Sequence, residues 1–275
     1  MSPTTAQAPP TSTTPRPPNS VKYTIEPVTS EADLPALAYL SGLALGPDPY
    51  SEFRERYGPQ SLYDDTLEKL TNAMRDKSGQ SSLFKVVLVP DSDEESGKET
   101  VIGLSQWRLG YLNVPKTDPF AIKRDNDAPS STAQSVETTV VAKPNDDGEA
   151  EGLDIARAKK TPKPKPFYSN PLEEHGRMIW NSVITHIRGK RFMGLHRLVV
   201  HPSYQRQGIG QQLINWGTEV ADRENVVSWL NARPAGSRLY ERNGWQVVDV
   251  VEFDSPELDV PHTVTMIRFP KPRLA

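Results

Sequence analysis

The sequence predicts an α/β fold, and three observations carry that expectation. Segments with strand-like alternation interleave with segments whose apolar residues recur at helical spacing. From residue 192 onward the pattern runs strand, glycine turn, helix, strand, helix, strand, strand without a break in composition. Setting aside a Pro/Thr/Ser-rich start and one long polar segment leaves about 195 residues, the size of one domain.

Residues 1–20, "MSPTTAQAPPTSTTPRPPNS", have no apolar stretch and are expected to form a disordered tail. "VKYTIEPVT" (21–29) alternates as a strand does. The helix that follows begins with Ser30 and Asp33 placed as a capping box, and Leu34, Leu37 and Ala38 fall on one face. Residues 60–76 read as a second helix through Leu62, Thr66, Leu70 and Met74. "SLFKVVLVP" (82–90) and "ETVIGLSQWRLG" (99–110) flank the charged turn "DSDEESGK" and form an expected hairpin.

Composition then changes. Roughly 111–170 mixes both charge signs with Pro, Ser, Thr and Asp, and reads as a long disordered insertion between the third and fourth strands. Helical periodicity returns over 171–191 through Ile179, Val183 and Ile187, with Trp180 and Ile184 beside them. A strand at 192–200, a helix at 209–224, a strand at 226–231 and a helix at 235–243 follow, then strands at 245–253 and 262–269. The helix at 209–224 carries Ile209, Leu213, Trp216 and Val220 along one stripe.

Hydrophobic residues make up 36% of the chain and prolines number 26, so part of it is expected to stay unpacked. The absence of cysteine excludes disulfides, thiolate catalysis and Cys-based zinc sites. It also fits a reducing, cytoplasmic setting. A net charge of −3 exerts no global pull on nucleic acid or anionic membrane. No apolar run approaches the roughly 20 residues of a membrane span. The expected partners are therefore neither nucleic acid nor membrane, and the chain is expected to be a monomer or homodimer.

The stretch "LHRLVVHPSYQRQGIGQQLI" (195–214) places two glycines, Gly208 and Gly210, where a strand hands over to a helix. A helix N-terminus offers unpaired N–H groups and the positive end of its dipole, so such a turn suits an anion. A Walker loop needs Gly-Lys-Ser/Thr, whereas Gln211 and Gln212 follow Gly210. A Rossmann fingerprint needs a third glycine where Leu213 stands. Neither fits. An ordinary strand–helix turn remains the alternative.

Gln205-x-x-Gly208-x-Gly210 after a strand resembles the Gln/Arg-x-x-Gly-x-Gly/Ala signature of the GNAT superfamily of N-acetyltransferases. "RLYERNGW" (238–245) is similar to the family's Leu-Tyr-Glu-x-x-Gly-Phe helix end. The resemblance covers roughly 192–253 well and matches 21–110 in pattern only. It implies one N-acetyltransferase domain over 21–275, with a mixed, mostly antiparallel central sheet flanked by helices. The helix at 171–191 is then an addition.

The same resemblance implies a co-substrate, acetyl-CoA, and an amine acceptor, with a small molecule placed ahead of a protein. Gln205, Arg206, Gln207, Gly208, Ile209, Gly210 and Gln211 would surround its pyrophosphate. Backbone groups of Leu198, Val199 and Val200 would hold the acetyl carbonyl and pantetheine amides. The family's pantetheine-binding asparagine falls at Arg233 here, and Asn231 is grouped with the cofactor-binding residues instead.

Tyr240 matches the catalytic tyrosine that stands near the CoA sulfur and can protonate the departing thiolate; packing on its helix is the alternative role. His196 lies on a strand resembling that of arylalkylamine acetyltransferases, which use two histidines there. His196 matches the second and would be the catalytic residue through which, or through a water, the amine is deprotonated, and Gly194 replaces the first. A structural role for His196 stays open. His196 and His201 lack further nearby ligands for a metal, and His201, before Pro202, suits a turn. "GLSQW" (103–107) is not a nucleophile elbow, because Trp107 stands where the second glycine belongs. "KKTPKPKP" (159–166) reads as a solvated linker. The aromatics of "DPYSEFRERYGP" (48–59) fall where the family shapes its acceptor pocket; ordinary helix packing is the equal alternative. Two functions compete: direct acetyl transfer to a primary amine, and a non-catalytic acyl-CoA-binding sensor of the same fold.

Overall fold

The computed structural model describes residues 21–89, 99–113, 170–254 and 262–272. The expected tail and all of the expected insertion between 114 and 169 lie outside the described residues. The described strands form one sheet, ordered β1-β2-β3-β4-β5-β7-β6. They are β1 (Tyr23–Pro27), β2 (Ser81–Leu88), β3 (Val101–Tyr111), β4 (Arg191–Val200), β5 (Val227–Ala232), β6 (Gln246–Val251) and β7 (Thr263–Arg268). Every pair is antiparallel except β4 with β5. This is the mixed, mostly antiparallel sheet that the sequence led us to expect.

Among the described residues six α-helices flank it: α1 (Leu34–Leu45), α2 (Pro49–Tyr57), α3 (Leu62–Met74), α4 (Pro171–Ile187), α5 (Ile209–Glu224) and α6 (Pro234–Arg242). Phe192 and Met193, adjacent on β4, point to opposite faces of the sheet. Phe192 joins Val183, Ile184 and Ile187 of α4, whereas Met193 joins Ile209 and Leu213 of α5. Leu34, Leu37 and Leu70 of α1 and α3 pack on Leu104 and Val199. Helices α1, α3 and α4 therefore cover one face, and α5 and α6 cover the other.

Three local expectations change. Asp33 does not close a capping box: Ser30 accepts from the Ala32 N–H at 3.2 Å, while the Asp33 carboxylate reaches the buried Lys85 at 3.3 Å. Glu99 accepts from the same ammonium at 2.5 Å, and a buried cation recruits carboxylates more strongly than a helix end does. Helix α2 was not anticipated, because it buries only Ser51 and Phe53 and so lacks a stripe. Its signal was Asp48-Pro49, where the Asp48 carboxylate accepts from the Tyr50 N–H at 2.9 Å. The insertion also begins later than residue 111. Tyr111 still pairs with Arg191, and Leu112 is buried and exchanges backbone bonds with Lys190 and Gly189 at 3.2 and 2.8 Å.

Helix α5 lies close against β3 because Gly217 has no side chain. A Cβ there would overlap the indole of Trp107, which is fully buried. Gly217→Ala is expected to destabilise the fold by about 1–3 kcal/mol through overpacking, despite alanine's better helix propensity. Urea unfolding midpoints measure this, and an unchanged midpoint would contradict the close packing of α5 on Trp107.

Candidate active site

Strands β4 and β5 pair only from Phe192↔Val227 to Leu195↔Leu230. Beyond that point both strands continue, but they separate and leave a wedge. The cause is visible on the other edge of β4, where the register with β3 moves from Trp107↔Leu195 to Gln106↔Arg197. His196 is the extra residue of this bulge, and a bulge bends its strand and re-aims the side chain. Past the bulge, His201 donates its N–H to Ile102 of β3 at 2.8 Å. Strand alternation then sends the Val199 N–H toward β3 and those of Leu198 and Val200 into the wedge.

The wedge runs into the glycine turn. Gln205 Nε2 donates to the Val200 carbonyl at 3.1 Å, fastening the turn to the open edge. Arg206 (φ 63) and Gly208 (φ 84) adopt left-handed backbone, a conformation that glycine takes freely and arginine does not. Gly208 caps α5 without any side-chain cap. Among the described residues, no backbone N–H from Arg206 to Gln211 has a protein acceptor; Gln212 is the first to bond, to Gly208 O at 3.2 Å. Oriented N–H groups at a positive dipole end form a site for a phosphate-type anion.

Gln211 contributes through its backbone alone. Its amide nitrogen donates to Asn243 Oδ1 at 2.5 Å, and Asn243 Nδ2 returns a bond to Gln211 Oε1 at 2.9 Å. Asn243 is the C-cap of α6 and also donates to the Leu239 carbonyl at 2.7 Å. This amide pair ties the start of α5 to the end of α6, the helix that carries Tyr240. Arg268 holds the same corner, binding Asn243 O at 3.2 Å and Asp222 through two bonds of 2.8 and 2.7 Å. Tyr240 is half-buried with its ring edge-on to Trp245 at 6.0 Å, and burial pushes its phenol up to about 12.

On the opposite face, His196 meets Trp229 edge-on at 5.5 Å. A Cβ at Gly194 would lie 3.1 Å from Trp229 Nε1 and 3.3 Å from His196 Nε2, so the glycine gives both rings room. More than a third of His196 is accessible to water, yet protein surrounds the rest of it. Desolvation first, then the charges of Arg108 and Arg197, hold its pKa down to about 4. Water access softens the first effect; the two guanidiniums push in the same direction. The imidazole is neutral at neutral pH.

A second histidine was not anticipated. His175 of α4 is fully buried among Tyr50 (5.1 Å), Phe253 (5.3 Å) and Phe53 (5.9 Å). Neither of its ring nitrogens has a partner among the described residues. Desolvation, aided by Arg233, lowers its pKa to about 4. Between about pH 4 and the ordinary value of 6.5, the unfolded chain therefore binds a proton that the folded chain refuses. Stability is complete above pH 6.5 and falls toward pH 4, with a slope of up to about 1.4 kcal/mol per pH unit for this histidine. His175→Phe is expected to flatten that slope without loss of stability at pH 7. Urea midpoints at pH 7 and 5 check it, and an unchanged slope would contradict the assignment.

Other expected residues fall as follows. Val199 leaves the cofactor set, since its N–H faces β3 and its side chain sits under α1 and α3. Asn231 points away from the glycine turn: Thr265, itself 2.7 Å from Ser182 of α4, donates to Asn231 Oδ1 at 3.0 Å. Ile209 is core, and only its N–H is available. Gln207 reaches back to the Ser203 carbonyl at 3.5 Å. His201 accepts from the Ser203 N–H at 3.2 Å, the turn role read from its proline neighbour.

Residues 172–247 match the acetyltransferase (GNAT) domain family. An uncharacterised N-acetyltransferase of Schizosaccharomyces pombe is 26% identical over 110 residues, covering 39% of this chain. Both findings support a likeness to the GNAT superfamily over the segment they cover. It spans about half the length of that yeast relative, 46%. Similar solved structures include one described as histone acetyltransferase HPA2 and related acetyltransferase from Corynebacterium glutamicum. It is 17% identical, with 92% of this chain and 99% of that one covered and a TM-score of 0.44. Another is the PaiA N-acetyltransferase of Thermoplasma acidophilum in complex with coenzyme A, at 13% identity, 90% and 99% coverage and a TM-score of 0.40. The matched span contains the wedge, the glycine turn and Tyr240. It also contains nearly all of α4, the helix read from sequence as an addition.

Proposed function

We propose that this protein is an acetyl-CoA-dependent N-acetyltransferase of the cytoplasm that transfers the acetyl group directly to a small primary amine in a ternary complex. One observation carries the reading: the open edge of β4 leads straight into an uncapped helix start with a run of unbonded N–H groups. These groups, from Arg206 to Gln211, suit a pyrophosphate, and the N–H groups of Leu198 and Val200 suit the amides of an extended arm. Acetyl-CoA supplies the activated acyl thioester.

Leu198 and Val200 stabilise the carbonyl oxygen as negative charge develops on it. An amine with a pKa near 10.4 is only about one part in 10³ neutral at pH 7. His196, with a pKa of about 4, is too weak a base to retain the amine's proton, so it orients the nitrogen by accepting a hydrogen bond. The guanidiniums of Arg108 and Arg197 disfavour the ammonium form and so help to release the neutral amine. Tyr240 stays protonated and donates a hydrogen bond to the departing sulfur, while the proton that the nitrogen sheds as the amide forms passes through water to the thiolate, giving amide and free thiol. The test is release of free thiol from acetyl-CoA over a panel of primary amines. Amine-dependent release is expected. Tight acetyl-CoA binding with no release for any amine would instead identify a sensor of the same fold.

A further inference from the structure

The side of the wedge that faces the amine gathers positive charge from four elements. Arg197 of β4 donates to Thr66 Oγ1 at 3.2 Å, and Arg54 of α2 pairs with the neighbouring Asp65, so both guanidiniums are anchored on one turn of α3. One turn before Arg54 on α2, the ring of Tyr50 lies 3.2 Å beneath the guanidinium carbon of Arg233. Arg108 stands on β3 opposite Gly194, two residues from His196.

Asp65 acts on Arg197 but is shared between Arg54 and Lys69, the latter at 2.8 Å. Asp48, which caps α2, also acts on Arg233, whose guanidinium donates to Thr263 Oγ1 at 2.5 Å. Arg197 Nε is buried and without a partner among the described residues. The whole chain carries a net charge of −3, so this concentration of guanidiniums is a local feature. Partly buried like charges are costly unless a ligand of opposite sign meets them, and guanidiniums match carboxylate and phosphate oxygens in pairs.

We propose that the amine acceptor carries an anionic group, a carboxylate or a phosphate monoester, held by Arg197 with Arg54 and Arg233, and that polycationic amines are excluded. The inference rests on the transferase reading of the same site. It narrows an acceptor that the sequence reading left as an unspecified amine. The aromatic rings of Tyr50 and Trp229 beside the guanidiniums supply apolar walls for the rest of such a molecule.

The test uses matched pairs at fixed ionic strength: phenylalanine with phenylalaninamide, and glucosamine 6-phosphate with glucosamine, with spermidine as the cationic probe. In at least one pair the anionic member is expected to have a KM lower by about tenfold to a hundredfold. Which pair responds separates carboxylate from phosphate. Arg197→Gln is expected to erase the preference and Arg197→Lys to restore part of it, with acetyl-CoA affinity unchanged. Should Arg197→Gln fail to fold, Arg233→Gln carries the same expectation for the preference. Equal or better use of the neutral members or spermidine overturns the inference, as does a preference that survives both glutamine substitutions. Binding of N-acetylphenylalanine against N-acetylphenylalaninamide, and of N-acetylglucosamine 6-phosphate against N-acetylglucosamine, in the presence of CoA, is read in parallel. A preference there without turnover on any amine upholds the anion site and overturns the transferase reading.

Discussion

Gly210→Asp is expected to weaken acetyl-CoA binding by about 10³-fold while leaving the domain folded. A carboxylate about 4 Å from a pyrophosphate charge costs on the order of 4 kcal/mol near a protein surface, three factors of ten in affinity. The fold has no reason to object. A Cβ at Gly210 would meet only Leu239 Cδ2, at 3.3 Å, the far end of a flexible side chain. An acidic residue in the first turn of α5 is favoured by the helix dipole, typically by about 0.3–1 kcal/mol. Affinity and stability should thus move in opposite directions, a combination that general damage to the fold does not produce. Gly210→Ala, which adds the same Cβ without charge, is expected to change affinity only a few-fold. Calorimetric titration with acetyl-CoA and urea unfolding of the same variants measure both quantities. A folded Gly210→Asp variant with unchanged affinity would place the pyrophosphate elsewhere.

Tyr240→Phe is expected to lower turnover by about 10²-fold with acetyl-CoA affinity nearly unchanged. The phenol, pushed up to about 12, is protonated throughout the working pH range. A thiol of ordinary pKa, near 8.5, is the stronger acid, so full proton transfer from the tyrosine to the thiolate is uphill. What remains is a hydrogen bond to a sulfur that is charged only as it leaves, worth about 1.5–3 kcal/mol. An interaction made only late in the reaction appears in kcat rather than in ground-state binding. The ring itself is retained in phenylalanine, along with its edge contact to Trp245. Equal turnover by the two proteins would leave Tyr240 a packing residue, and a loss confined to KM would assign it to binding.

Legibility in the sequence followed the kind of signal each residue gives. The order of strands and helices was readable because periodicity survives without tertiary context, as in the Ile209, Leu213 and Val220 stripe of α5. The glycine turn was readable because Gly208 answers a backbone need that few residues meet. The bulge at His196 was not, since it depends on the register between β3 and β4, which no local pattern encodes. The surroundings of Asn231 were not legible for a related reason. It is polar and near the motif, yet Thr265, distant in sequence, takes up its side chain. His175 and the guanidinium cluster come from α2, β3, β4, α4 and the start of α6, and only the folded chain brings such residues together. One of them, Arg54, lies on the helix Pro49–Tyr57 that the sequence reading had not assigned.

The most direct measurement is calorimetric titration of the wild-type protein with acetyl-CoA and, separately, with S-acetylpantetheine, which keeps the thioester and the amides but lacks the pyrophosphate. If the N–H groups of Arg206–Gln211 hold that pyrophosphate, acetyl-CoA should bind at one site per chain and at least about 10²-fold more tightly than the truncated thioester. That advantage should shrink to a few-fold in Gly210→Asp. Equal affinities for the two thioesters, or no binding of either, would contradict the assignment of the β4–β5 wedge and the α5 N-terminus as an acetyl-CoA site.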